Sequence, residues 1–172
     1  GGRYYVKRNS SALIAFSIPS SFSGFNIVSA HTDSPCFKVK WNPEVKAAGF
    51  PTRLNVEAYG GMIMQSWFDR PLSIAGRVFI KRNGKVEEKL VNLGQKFTIV
   101  IPNLAIHQNR EANNGWKISV QKEMLPIFSD GESSFLDEVS SSAECRKEDL
   151  LDYDLFLYNK TAPVFWGAEG EF

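Results

Sequence analysis

The feature that most limits the folds open to this chain is its punctuation. Short apolar or alternating stretches, Arg3 to Lys7, Ala12 to Ile18 and Phe25 to Ala30, are broken by Asn9-Ser10-Ser11 and by Pro19-Ser20-Ser21-Phe22-Ser23-Gly24. Such stretches between polar turn residues read as strands, because period-two alternation buries one face of an extended chain. Beyond Pro35 the β texture continues through Phe37 to Trp41, Arg53 to Tyr59, Gly76 to Arg82, Val86 to Val91 and Lys96 to Ile101. Asn83-Gly84 joins two of these stretches and predicts a tight hairpin, since both residues tolerate positive φ. The expected core is therefore a largely antiparallel sheet. Helix is sparse: Asn103 to Glu111 predicts a short helix or ordered loop ended by Asn113-Asn114-Gly115, and Ser133 to Glu144 predicts a helix with Phe135, Leu136 and Val139 on its apolar side. Tyr153 to Tyr158 returns to strand, and Pro163 to Gly167 leads out as a loop.

Phe25 to Ala30 is rich in apolar and small residues, the composition of a strand buried on both faces. A change of texture after His31 to Pro35 places a domain boundary there, and a second is placed near Asn159 to Pro163. The expectation is an α+β chain with residues 1–33 as a piece of one domain, 34–160 as a β-rich domain, and 161–172 leading back.

Bulk properties exclude several classes. Twenty Lys plus Arg against nineteen Asp plus Glu give a formal charge of +1, with the two signs interleaved. That balance favours neither a nucleic-acid partner nor a membrane surface. No apolar run approaches the roughly 18 residues that span a bilayer, and no signal segment opens the chain. Cys36 and Cys145 are the only cysteines and form no CxxC pair, which suits a reducing cytoplasm. The opening Gly1-Gly2-Arg3, without an initiator Met, suggests a chain cut from something longer.

The sharpest chemical feature is His31-Thr32-Asp33-Ser34-Pro35 at the expected carboxyl end of the Phe25 to Ala30 strand. Ligand sites in α/β sheets gather at such ends. An imidazole there can bind a divalent metal, and an Asp two residues on can orient it through its other ring nitrogen. From spacing alone the commoner outcome is a hydrogen-bonded His at a strand end beside an exposed turn Asp, since HxD is a short motif. A catalytic zinc needs about three protein ligands and a dinuclear site more. His31 and His107 are the only imidazoles, and neither HExxH nor a second HxD is present. Glu87-Glu88 reads as a solvated hairpin surface. Met62 and Met64 read as packing residues and Gly60-Gly61 as a bulge or turn. In Trp67-Phe68-Asp69-Arg70 the aromatics are expected in the core, with Asp69 and Arg70 paired at the surface.

Several blocks taken together carry a resemblance: His31 to Pro35, Lys38-Val39-Lys40, Val56 to Gly61, Trp67 to Arg70, Leu72-Ser73 with Ala75-Gly76-Arg77, and Pro102 to His107. In order and approximate spacing, over nearly the whole chain, they resemble the aspartyl aminopeptidase family of dinuclear zinc exopeptidases. The resemblance implies an α/β peptidase domain whose first strand leads into an inserted β-rich dimerisation domain. It implies that His31 is a metal ligand for one of two zincs and that Asp33 is the catalytic-site carboxylate orienting it. It also implies that His107 reaches the active site of a dimer partner as a substrate-binding contact in trans. The substrates implied are peptides with an N-terminal Asp or Glu, and the assembly a dimer-based homo-oligomer that builds a larger cage. The family's remaining ligands lie C-terminal to the β domain, and Glu169-Gly170-Glu171-Phe172 resembles the approach to the next ligand strand. The chain as given is therefore expected to be inactive and to hold little or no zinc. The competing expectation is a non-catalytic β-rich assembly module.

Overall fold

The computed structural model describes residues 1–171, which divide into two compact units, Gly1–Asp33 and the chain from Ser34 onward. In the first unit β1 (Gly2–Arg8) pairs with β2 (Ala12–Ile18) in unbroken antiparallel register from Gly2↔Ile18 to Arg8↔Ala12. Asn9 and Ser10 make the reversal at φ of 50° and 54°, and the Ser11 N–H closes it on the Arg8 carbonyl at 3.1 Å. Tyr4 stacks on Phe16 across the ribbon with ring centroids 5.5 Å apart. Both rings stay largely exposed, because two strands cannot by themselves enclose a core.

The Phe25 to Ala30 stretch does not form the doubly buried strand its composition predicts. Phe25, Ile27 and Val28 are 82%, 84% and 97% exposed on irregular backbone. A strand exists through ladder bonds to neighbours, and burial on both faces needs layers above and below. Among the described residues this unit has only the β1–β2 ribbon. His31 accordingly sits on an extended loop and not at a strand end.

The second unit is built on β3 (Cys36–Ala47), β4 (Phe50–Tyr59), β5 (Leu72–Arg82), β6 (Lys85–Asn92), β7 (Ile127–Ser129) and β8 (Leu150–Asn159), with α1 (Val120–Glu123) and α2 (Phe135–Ala143) inserted before and after β7. The sheet order is β6-β5-β8-β3-β4-β7, and every pairing is antiparallel. Asn83 and Gly84 turn β5 into β6 at φ of 52° and 75°, the positive pair that this dipeptide predicts. Gly76 pairs with Val91 on one side and Leu155 on the other, deep in the β5–β8 ladder.

Alternation aims Phe37 and Val39, Leu54 and Val56, Val78 and Ile80, and Leu155 and Leu157 into one core, all at most 2% exposed. Burying each such side chain contributes about 1.5–3 kcal/mol. Helix α2 covers that face with Phe135, Val139, Ser140 and Ala143, spaced to fall on one stripe. Phe135 meets Phe128 and Tyr153 edge to face. Ser134, the residue before α2, offers no side-chain cap, and Glu44 from β3 does the work: its Oε1 accepts the Phe135 N–H at 2.7 Å. Burial would raise the Glu44 carboxyl, but that N–H and the Lys46 ammonium outweigh it and hold the carboxyl below its ordinary range. On the other face Asp154 accepts from Lys38 at 2.7 Å and from Arg77 at 3.0 Å, and these two cations depress its carboxyl.

Of the expected strand Lys96 to Ile101 only three isolated bridges form, Leu72↔Ile99, Val100↔Ile127 and Phe68↔Ile101, after a 3-10 turn at Leu93–Gln95. The Asn92 side chain accepts the Gly94 N–H, and the Lys96 and Phe97 N–H groups bond back to the Leu93 carbonyl, so the turn takes up the first two residues of the stretch. The segment from Asn103 to Asn114 is a loop with a turn at 106–108 and a 3-10 helix, Arg110–Asn113. Met62 and Met64 pack against the core. The architecture is α+β and dominated by sheet.

Candidate metal-ligand site

The site begins with one short segment. His31 Nδ1 lies 2.9 Å from Asp33 Oδ1 and 3.0 Å from the Asp33 carbonyl oxygen. Both partners are acceptors when Asp33 is ionised, so the geometry selects the tautomer with the proton on Nδ1. Nε2 then carries the lone pair. The His31 side chain is 82% exposed and that of Asp33 54%, so the ring stands largely open to solvent. A carboxylate on the distal ring nitrogen fixes tautomer and ring direction and raises the basicity of the ligating nitrogen. The spacing of two residues makes this possible, since it returns Asp33 to the side of the chain that carries the imidazole.

The segment fits one zinc position as a single imidazole ligand with its orienting carboxylate. Among the described residues no three of His, Cys, Asp and Glu converge to hold a metal ion. His107 belongs to the second unit, exposed on the turn after Ala105, where the Gln108 and Asn109 N–H groups both bond the Ala105 carbonyl.

Asp69 does not pair with Arg70 as the sequence suggested. Its Oδ1 accepts the Asn103 backbone N–H at 3.0 Å, across a separation of 34 residues. No local pattern points that far along the chain, so only the fold reveals the contact.

Fold and site together describe a sheet-rich α+β chain in which an exposed imidazole is hydrogen-bonded to a carboxylate two residues on. Residues 1–172 match the family model described as aminopeptidase I zinc metalloprotease (M18), and the chain belongs to that family. It is 47% identical over 183 residues to a Pseudomonas aeruginosa protein named probable M18 family aminopeptidase 2, covering all of this chain and 42% of that protein. The chain thus spans about two fifths of the length of such curated relatives. Among solved structures, the Ape4 and Nbr1 complex determined by cryo-EM matches 99% of this chain and 37% of the other, with a TM-score of 0.81 at 31% identity. The S. cerevesiae mApe1 dodecamer shares the fold at 22% identity, with a TM-score of 0.77 over 99% of this chain and 40% of that one. Among the described residues no helix is long and apolar enough to cross a membrane.

Proposed function

We propose that these residues serve, within a longer polypeptide of the family, as part of a zinc aminopeptidase that removes acidic N-terminal residues from peptides. The observation that carries the reading is the His31 Nδ1 contact to Asp33, which leaves Nε2 directed outward as a ligand atom. Family membership over residues 1–172 supports it. His31 is the metal ligand, and Asp33 holds the imidazole in the ligating tautomer. Zinc bound there supplies Lewis-acid polarisation of the scissile carbonyl. His107, on its exposed turn, serves as a hydrogen-bond donor to the substrate in a neighbouring subunit's site. The preference for Asp or Glu at the substrate N-terminus rests on the likeness of the sequence blocks to aspartyl aminopeptidases, and two zincs per complete site rest on the same likeness.

Residues 1–33 are read as the peptidase-domain part, 34–160 as the dimerisation domain and 161–172 as the return. The dodecamer seen for a structural neighbour supports a homo-oligomer built from dimers. Cys36 and Cys145, far apart in sequence and forming no CxxC pair, suit a reducing, cytoplasmic setting.

Taken alone, the 172 residues are expected to be inactive. The test compares zinc-loaded chain with the natural full-length protein on aspartyl and glutamyl arylamides. Turnover only by the full-length protein, abolished by His31→Ala together with loss of zinc by elemental analysis, is the expected result. A full-length protein that keeps its zinc and its rate after His31→Ala would favour the non-catalytic assembly module.

A further inference from the structure

The excursion from Pro102 to Trp116 leaves the core at Ile101, carries His107, and returns at Trp116. Two consecutive residues grip its two ends. Asp69 Oδ1 accepts the Asn103 N–H at 3.0 Å, and the Asn103 side chain in turn accepts the Leu104 N–H at 2.8 Å, so the first residues after Pro102 are fixed in a chain of bonds. Phe68 stacks on Trp116, the rings 5.7 Å apart and 20° from parallel. Phe68 is itself buried, and its neighbour Trp67 packs edge to face on fully buried Phe37. The grip therefore rests on the core and not on a flexible loop.

Backbone geometry points the same way. The Asp69 N–H bonds the Ile101 carbonyl at 2.9 Å beside the Phe68↔Ile101 bridge, and Asp69 stands at a φ of 55°. A non-glycine residue in the left-handed region is uncommon, and Asp and Asn bear it best. That turn aims the carboxylate away from Arg70 and onto the loop. Its ends held, the excursion keeps the freedom of a short span only, and exposed Leu104, Ile106 and His107 are presented from its crest.

We propose that Asp69, with Phe68, is the positioning device that presents His107 to the site it serves. The proposal rests on the reading of His107 as a substrate contact, and its two measurements separate the failure of one from the failure of the other. The first is amide hydrogen exchange on the 172-residue chain, which reports the grip whatever His107 does. Asp69→Gly keeps the left-handed backbone but removes the acceptor, and exchange at Asn103 and Leu104 is expected to rise roughly tenfold or more. Asp69→Asn keeps both features and should restore protection. Asp69→Ala, which removes both, should be worst. Equal protection in Asp69→Gly and the natural chain overturns the proposal.

The second measurement is kcat and KM of the full-length protein on an aspartyl arylamide. Asp69→Gly should lower kcat/KM roughly tenfold, with zinc content and dimerisation unchanged, and Asp69→Asn should rescue it. Faster exchange with an unchanged kcat/KM, in a protein that His107→Ala does inactivate, overturns the positioning role. If His107→Ala is itself without effect, the reading of His107 falls and the positioning role with it, while the exchange result on the grip stands.

Discussion

Gly76 is the position where one methyl group does most damage. It lies in β5 between Val91 and Leu155, at a φ of 157°, and a Cβ built there falls on the Asp154 carbonyl oxygen, with Asp154 C and Leu155 Cα both at 3.1 Å. These neighbours are backbone and cannot rotate away. Relief requires β5 and β8 to part around Leu155, which breaks the adjacent ladder bonds and strips solvent-free partners from their groups. Losing two such bonds at about 1–2 kcal/mol each gives an expected cost for Gly76→Ala of about 2–4 kcal/mol. At roughly 2–4 °C per kcal/mol for a chain of this size, the midpoint falls by about 5–15 °C. Urea unfolding followed by far-UV circular dichroism measures it, with an unchanged m value showing that the same surface is exposed. Gly61→Ala is the control, because a Cβ there meets nothing within 4 Å, and it should change stability by less than about 0.5 kcal/mol. A Gly76→Ala protein as stable as the Gly61→Ala control would refute the close β5–β8 approach.

Glu44→Ala removes the cap on α2 and should cost about 1–2 kcal/mol at neutral pH. Because the folded state holds the Glu44 carboxyl below its ordinary value of 4.5, its contribution is present above that pH and is lost as pH falls through the lower folded value; the gap between mutant and parent in chemical denaturation should close on acidification. Phe135→Ala empties the aromatic contact between Phe128 and Tyr153 and should cost about 3–5 kcal/mol by the same assay. His31→Ala should leave the stability of the 172-residue chain within about 0.5 kcal/mol, since its side chain is 82% exposed; a larger loss in a thermal melt would make His31 a structural residue.

The sheet was legible wherever the local sequence carried the whole cause. Asn83-Gly84 needs no distant partner to turn, and the alternation of Phe37, Val39, Leu54 and Val56 assigns one face unaided. Phe25 to Ala30 failed for the opposite reason: composition states a preference for burial, but a strand also needs neighbours to pair with. Lys96 to Ile101 formed only in part, because the Lys96 and Phe97 N–H groups both turn back onto the Leu93 carbonyl. His31 and Asp33 were legible as a pair, since two residues of extended chain suffice to bring them together. The Asp69 contact to Asn103 was not, because its partners stand 34 residues apart and no local pattern links them.

The most direct test of the central claim is complementation in the full-length protein. A His31→Ala subunit and a His107→Ala subunit, each expected to be nearly inactive alone, are co-assembled and the mixed dimers assayed on an aspartyl arylamide. In a mixed dimer one of the two sites joins an intact metal centre from the His107→Ala subunit to His107 of the other. Random pairing of equal amounts should then return about a quarter of the natural activity. Mixed dimers as inactive as their parents would contradict the division of the site between His31 of one subunit and His107 of the next.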